Sequence, residues 1–234
     1  MTVSERHRSQ PGTRPTTPES AWRTLMAGNA RFMADDRAHP HQDVDMRHRL
    51  ANKQAPFAIL FGCGDSRVAA EIIFDQGLGD LFVVRTAGHV VDFSVLGSIE
   101  FGVLKLGTPL IVVLAHDSCG AVAAAVASAQ SGEMPPGYIR DIVERITPSV
   151  FAVGKAGRIT PEAVEREHAK LTCELLYERS SICRDAVDAG RLAIVGCEYD
   201  LVDGQAHLVH VVGDIGEHEL VLREGPGESG PSPS

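Results

Sequence analysis

The chain has 234 residues, enough for one full hydrophobic core. Its apolar content of 44% and charged content of 23% are those of an ordinary globular protein, and its net charge is -9. An acidic chain with no Lys/Arg block lacks the basic face that a nucleic acid needs, and no apolar stretch is long enough to span a bilayer. A small neutral or anionic substrate remains compatible. The five cysteines, Cys63, Cys119, Cys173, Cys183 and Cys197, are odd in number and irregular in spacing, a poor disulfide framework. Residues 1–20 lack the apolar core of a signal peptide. The expected compartment is a reducing cytoplasm, where thiols stay free to bind metal.

Residues 1–18, rich in Pro, Thr, Ser and Arg, read as a disordered segment, and residues 223–234 as a disordered tail. Between them, 19–222 read as a single domain. A helix opens near Pro18 and runs to about Met33, with Trp22, Leu25, Met26 and Phe32 at roughly helical spacing. It forms an N-terminal arm that packs either on a partner subunit or on its own core.

Five segments read as strands: 57–62, 81–85, 110–115, 192–197 and 207–212. The first four are short and apolar, the pattern of strands buried on both faces. Helical patterns over 68–74, 93–105, 121–131, 138–152 and 161–189 separate them. This alternation predicts an α/β fold with a mainly parallel central sheet of four strands flanked by helices. The Asp203-Gly204 turn before the last strand predicts an antiparallel edge.

Two segments carry the chemistry, Cys63-Gly64-Asp65-Ser66-Arg67 and His116-Asp117-Ser118-Cys119-Gly120. Each follows an expected strand, and open α/β sheets bind ligands beyond the carboxyl ends of strands. Cys63 alone reads equally well as a buried structural cysteine, with Asp65 or Ser66 capping the helix behind it. The His116/Cys119 spacing is more specific, since two side chains three residues apart at a turn can converge on one ion. Gly120 permits close backbone approach, and the amides of the following helix favour a thiolate at Cys119. Two thiolates and one imidazole suit zinc, with a fourth place left for water or a carboxylate. Such a site lowers the pKa of bound water towards about 7. Asp65 can orient that water, or swing in as a fourth ligand and shut the site. Arg67 can hold the carboxylate away as a buried pair, or make a plain surface ion pair.

Cys-x-Asp-x-Arg followed about fifty residues on by His-x-x-Cys-Gly resembles the zinc-site signature of the β-class carbonic anhydrases, especially the actinobacterial, mycobacterial-type members. Phe82-Val83-Val84-Arg85-Thr86-Ala87-Gly88 and Gly97-Ser98-Ile99-Glu100-Phe101-Gly102 also fit that family. The resemblance implies reversible hydration of CO2 to bicarbonate and a proton by zinc-hydroxide attack. It implies one zinc per chain on Cys63, His116 and Cys119, and Asp65 and Arg67 as a catalytic dyad. Asp65 would join the metal only in a closed form, at lower pH. It assigns Gln54, Phe82, Phe101 and Gly120 to the substrate pocket; without it, Gln54 would read as a solvated residue and the two phenylalanines as core. Phe101 stands where plant members carry Tyr. Some members hold a non-catalytic bicarbonate between Trp, Arg and Tyr; here Arg85 and Tyr199 match, and Leu60 replaces the Trp. The family's dimers and tetramers imply a homodimer or homotetramer, with Gln54 and Phe82 supplied across the interface. Among ten histidines, His89 is the first to consider as a proton shuttle. Two other readings keep the metal: a carbonyl sulfide or carbon disulfide hydrolase on the same scaffold, and a structural zinc module that mediates assembly.

Overall fold

The structure is a computed structural model and describes residues 14–216. Of the segment 1–18 expected to be disordered, residues 1–13 fall outside the described residues, as does the tail 223–234, whereas Thr17 caps and Pro18 opens the first helix. Five strands form one sheet: β1 Ala58–Cys63, β2 Leu81–Thr86, β3 Leu110–His116, β4 Ala193–Tyr199 and β5 Ala206–Val212. Their order is β2-β1-β3-β4-β5. The first four run parallel, and β5 pairs antiparallel with β4 after the Asp203-Gly204 turn, as the sequence predicts. β1, β3 and β4 are buried along their whole length, because helices cover both faces. β2 departs from the expectation. It is half-buried, since it is an edge strand and one side of it has no neighbour among the described residues.

Among the described residues eight α-helices surround the sheet: α1 Pro18–Met33, α2 Val44–Leu50, α3 Ala70–Ile73, α4 Phe93–Leu104, α5 Gly120–Ser131, α6 Ile139–Ala156, α7 Pro161–Arg179 and α8 Ser181–Asp188. α2 has no counterpart among the expected helices. It buries nothing, so it leaves no apolar stripe to read, and Asp43 caps it through the Met46 amide. The single helix expected over 161–189 is two. Ser180 takes an extended backbone (φ -100°, ψ 110°) and its hydroxyl caps the Cys183 amide. The expected cap by Asp65 or Ser66 is also absent. α3 begins at Ala70, later than expected, so its N-cap position falls on Ala69, which has no capping side chain, and the Asp65 carboxylate is engaged by Arg67.

α1 packs on its own core. Ala21, Trp22 and Leu25 join β1, β3, β4 and α3 in one apolar cluster on one face of the sheet. α4, α7 and α8 cover the other face. Two residues fix the seat of α1. Gly28 lies so close to the end of α3 that a Cβ would sit 1.8 Å from the Phe74 carbonyl oxygen. Asn29, fully buried, donates to the carbonyls of Ile73 and Gly204 and accepts from the Ala206 amide.

A third cluster closes the carboxyl end of the sheet, where α5 and α6 pack around Cys63 and Cys119. Beneath it lies a buried imidazole pair, His89 and His168, with ring centroids 4.5 Å apart. Burial pushes both below the ordinary histidine range, His168 to about 4.

Two predictions follow from this packing. Gly28→Ala should destabilise the chain by about 2 kcal/mol or more, seen as a lower urea midpoint, because α1 cannot back away without pulling Asn29 off its three partners. A depressed histidine adds stability above its unfolded pKa and loses it as pH falls through its folded value. The melting temperature should therefore fall between about pH 6.5 and about pH 4, with His168 alone contributing on the order of 3 kcal/mol. His89→Asn, which tolerates the positive φ at that position, should show a shallower fall; an identical pH slope would contradict the assignment.

Candidate metal centre

β1 and β3 are parallel neighbours in register, with Gly62 level with Leu114, so Cys63 and His116 leave the sheet side by side. The turn after β3 then folds back sharply. Ser118 adopts a left-handed backbone (φ 56°), uncommon outside glycine and found where a turn aims side chains. Asp117 anchors that turn to the end of β4: its amide donates to the Tyr199 carbonyl, and its carboxylate accepts from the Leu201 amide at 2.9 Å. Cys119 is the N-cap residue of α5, at the positive end of that helix, with no hydrogen bond from the first turn to its side chain.

The ligand atoms of Cys63, His116 and Cys119 all lie within 4.8 Å of one another, and all three residues are buried. His116 Nδ1 is 2.8 Å from the Asp117 carbonyl oxygen. A carbonyl only accepts, so Nδ1 carries the proton and Nε2 presents its lone pair. Among the described residues that Nε2 is buried without a hydrogen-bond partner. An unsatisfied buried acceptor facing two sulfurs is the arrangement that a borderline-soft cation such as zinc satisfies.

The charges agree. The Cys63 thiol is pushed down, chiefly by hydrogen bonding with Cys119, against the opposing effect of burial, with help from His116 and the Gly88 amide. Cys119 is pushed up by the same pairing, because two adjacent sulfurs do not both ionise without a cation. Burial works against a charge on His116, but Cys63 and the Asp117 carbonyl outweigh it and raise its pKa.

Asp65 lies beside this cluster in the grip of Arg67. The guanidinium donates from Nε to one carboxylate oxygen at 3.0 Å and from an η nitrogen to the other at 2.7 Å, and the Arg67 amide adds a third bond at 2.9 Å. Arg67 also reaches the Ser118 carbonyl at 3.4 Å, linking the two motif loops. The guanidinium and then the amide hold Asp65 well below the usual carboxylate range. The pair is bidentate and half-exposed on the Arg67 side rather than fully buried.

The other expected site residues are spread. Gly120 opens α5 beside Cys119, exposed, with nothing within 4 Å of where a Cβ would stand. Phe82 and Phe101 stack on each other with centroids 6.3 Å apart. Phe82 is level with Ile59, at the amino end of β1, whereas Cys63 closes the carboxyl end. Gln54 is exposed in the segment before β1. Within one chain these three stand towards the opposite end of the sheet from the sulfurs. Arg85, matched to the bicarbonate pocket, is instead bonded to the carbonyls of Cys63 and Asp65. The space beside it, lined by Leu60, Gly62 and Val83, has a volume of ≈ 10 Å³, room for about one water. His89 is sealed in the interior, so it offers no route for a proton to solvent.

Two residues that brace the surroundings of the metal cluster carried no local signal. Glu165 accepts the Cys119 amide at 2.8 Å, and His168 bonds the Gly88 carbonyl at 3.0 Å. Both lie in the strongly charged opening of α7, Glu162 to Lys170, which reads as a solvated face.

Residues 58–206 match the carbonic anhydrase family. The chain is 54% identical over 202 residues to carbonic anhydrase 2 of Mycobacterium tuberculosis, covering 86% of this chain and 98% of that protein. It is 53% identical to the carbonic anhydrase of Mycolicibacterium smegmatis over the same shares. A tetrameric β-carbonic anhydrase from Sordaria macrospora has the same fold, with a TM-score of 0.63 and 22% identity over 82% of this chain and 98% of that one. With its five-stranded mixed sheet and its Cys-His-Cys cluster, the chain belongs to the carbonic anhydrase family, in the β class and among members of the mycobacterial type.

Proposed function

We propose that the chain binds one zinc ion through Cys63, His116 and Cys119 and interconverts CO2 and water with bicarbonate and a proton. The observation that carries this reading is the buried, unpartnered Nε2 of His116 facing two sulfurs, beside a carboxylate that an arginine holds in place. Zinc supplies a Lewis acid that makes water nucleophilic near neutral pH.

The protein side chains do the rest. Asp65 stays ionised because Arg67 stabilises its charge, and an ionised carboxylate only accepts hydrogen bonds. It therefore orients the attacking water through one O–H and leaves a lone pair directed at CO2. Arg67 keeps Asp65 from becoming a ligand itself. With zinc bound, Asp65 would be the group able to leave Arg67 and fill the fourth position at lower pH, and Arg67 the group that would draw it back at higher pH. A purely structural zinc site has no use for that competition, which speaks against an assembly module.

Homodimerisation completes the substrate pocket in this reading. β2 is an edge strand whose amino end carries Phe82 and whose carboxyl end lies beside Cys63. Two such edges meeting about a two-fold axis run antiparallel, which sets Gln54 and Phe82 of one chain near the sulfurs of the other. Among the described residues no helix is long and apolar enough to cross a membrane.

Stopped-flow CO2 hydration tests the activity. Zinc-loaded protein should hydrate CO2 rapidly, and the rate should rise from neutral to mildly alkaline pH. No hydration with one zinc bound would favour carbonyl sulfide or carbon disulfide as substrate. Asp65→Asn should lower kcat by roughly 100-fold or more with zinc content unchanged. Mixed and subunit-exchanged Gln54→Ala and Asp65→Asn chains should recover roughly a quarter of the parental activity, since each hybrid dimer holds one intact site. No recovery after verified exchange would contradict the shared pocket.

A further inference from the structure

We infer that α7 sets the metal centre from outside, with Glu165 and His168 as positioning residues for the two cysteine ligands; this rests on the zinc reading above. The two side chains are three residues apart and share one face of the helix. Glu165 reaches the Cys119 loop directly, and His168 reaches the Gly88 turn that touches Cys63. Glu165 Oε1 accepts the Cys119 amide at 2.8 Å, fixing the residue whose sulfur is a ligand. His168 Nε2 lies 3.0 Å from the Gly88 carbonyl, and its Nδ1 lies 3.0 Å from the Ser149 hydroxyl. The carbonyl only accepts, so Nε2 carries the proton and the Ser149 hydroxyl donates to Nδ1. Gly88 then turns its own amide to the Cys63 sulfur at 3.3 Å.

Gly88 makes this approach possible. Its φ is +62°, and a Cβ there would meet Ala121 Cβ at 2.8 Å and Ile146 Cδ1 at 2.9 Å. The chain Ser149–His168–Gly88–Cys63 therefore ends in an N–H directed at a thiolate. Such a bond orients the sulfur and draws charge from it, the usual task of groups behind a metal ligand. The arrangement is expensive. Glu165 and His168 are 1% and 5% exposed, and Glu165 Oε2 is buried without a partner among the described residues. Apolar side chains would fill the same helix face at lower cost in stability. The return lies in the positions of the two sulfurs.

Cobalt-substituted and zinc-loaded full-length protein tests the inference. The readouts are the thiolate-to-cobalt charge-transfer band and the zinc affinity, measured by chelator competition. Glu165→Leu and His168→Leu should each weaken zinc binding by roughly 10- to 100-fold and shift the band. Glu165→Gln and His168→Gln, which keep an acceptor and a donor, should recover most of both. Leu176→Ala, buried on the same helix, should lower the melting temperature and move neither readout. Should a Leu variant not fold, Ser149→Ala removes only the bond that orients His168 and should shift the band by less in the same direction. Leu variants that match the parent, or a control that shifts as they do, overturn the inference. A parent chain that takes up neither metal overturns the zinc reading and this inference with it.

Discussion

Two thiols and an imidazole within 4.8 Å of one another, in a nearly dry setting, make an arrangement that the chain does not favour by itself. Sulfurs that close do not both ionise without a cation, and the imidazole nitrogen facing them has no partner among the described residues. The rest of the molecule is organised around maintaining this convergence. The parallel register of β1 and β3 brings the two loops level. The left-handed Ser118 turns Cys119 back towards Cys63, and the Gly88 backbone approaches from the third side. Cys119 caps the amino end of α5, and α7 braces the Cys119 loop and the Gly88 turn. Each device costs backbone strain or buried polarity, and a bound cation offsets that cost by satisfying all three ligand atoms at once.

In the proposed mechanism Asp65 decides between catalysis and a closed centre. It is close enough in sequence to Cys63 to become a fourth ligand, yet three hydrogen bonds hold it on Arg67. The bidentate geometry matters more than the charge alone, since a lysine in place of Arg67 would offer one point contact and no fork. Arg85 adds a further restraint, because it grips the backbone of the same loop through the carbonyls of Cys63 and Asp65. A residue matched to a ligand pocket thus acts here on the main chain, which leaves room for about one water beside it.

The parts of the fold and site that depend on neighbours along the chain were legible before the structure. The first four strands announce themselves as short apolar runs, and the antiparallel edge through Asp203-Gly204. The clustering of Cys63, His116 and Cys119 is legible because each motif is local: Cys63 to Arg67 spans five residues, and His116 to Gly120 another five. What was not legible depends on distant partners or on the absence of burial. α2 buries nothing and so has no apolar period. Glu165 and His168 meet partners 46 and 80 residues away, and within α7 they are indistinguishable from a charged, solvated stretch. The break at Ser180 did carry a signal: its hydroxyl is a helix cap in the middle of what reads as one long helix.

The ligand set itself is the central claim, and X-ray absorption at the zinc edge of the purified protein tests it most directly. Two sulfur scatterers and one imidazole per zinc, with the remaining position filled by a light atom, is the expected result. A third sulfur from Cys173, Cys183 or Cys197, or a zinc held by nitrogen and oxygen alone, would contradict the account.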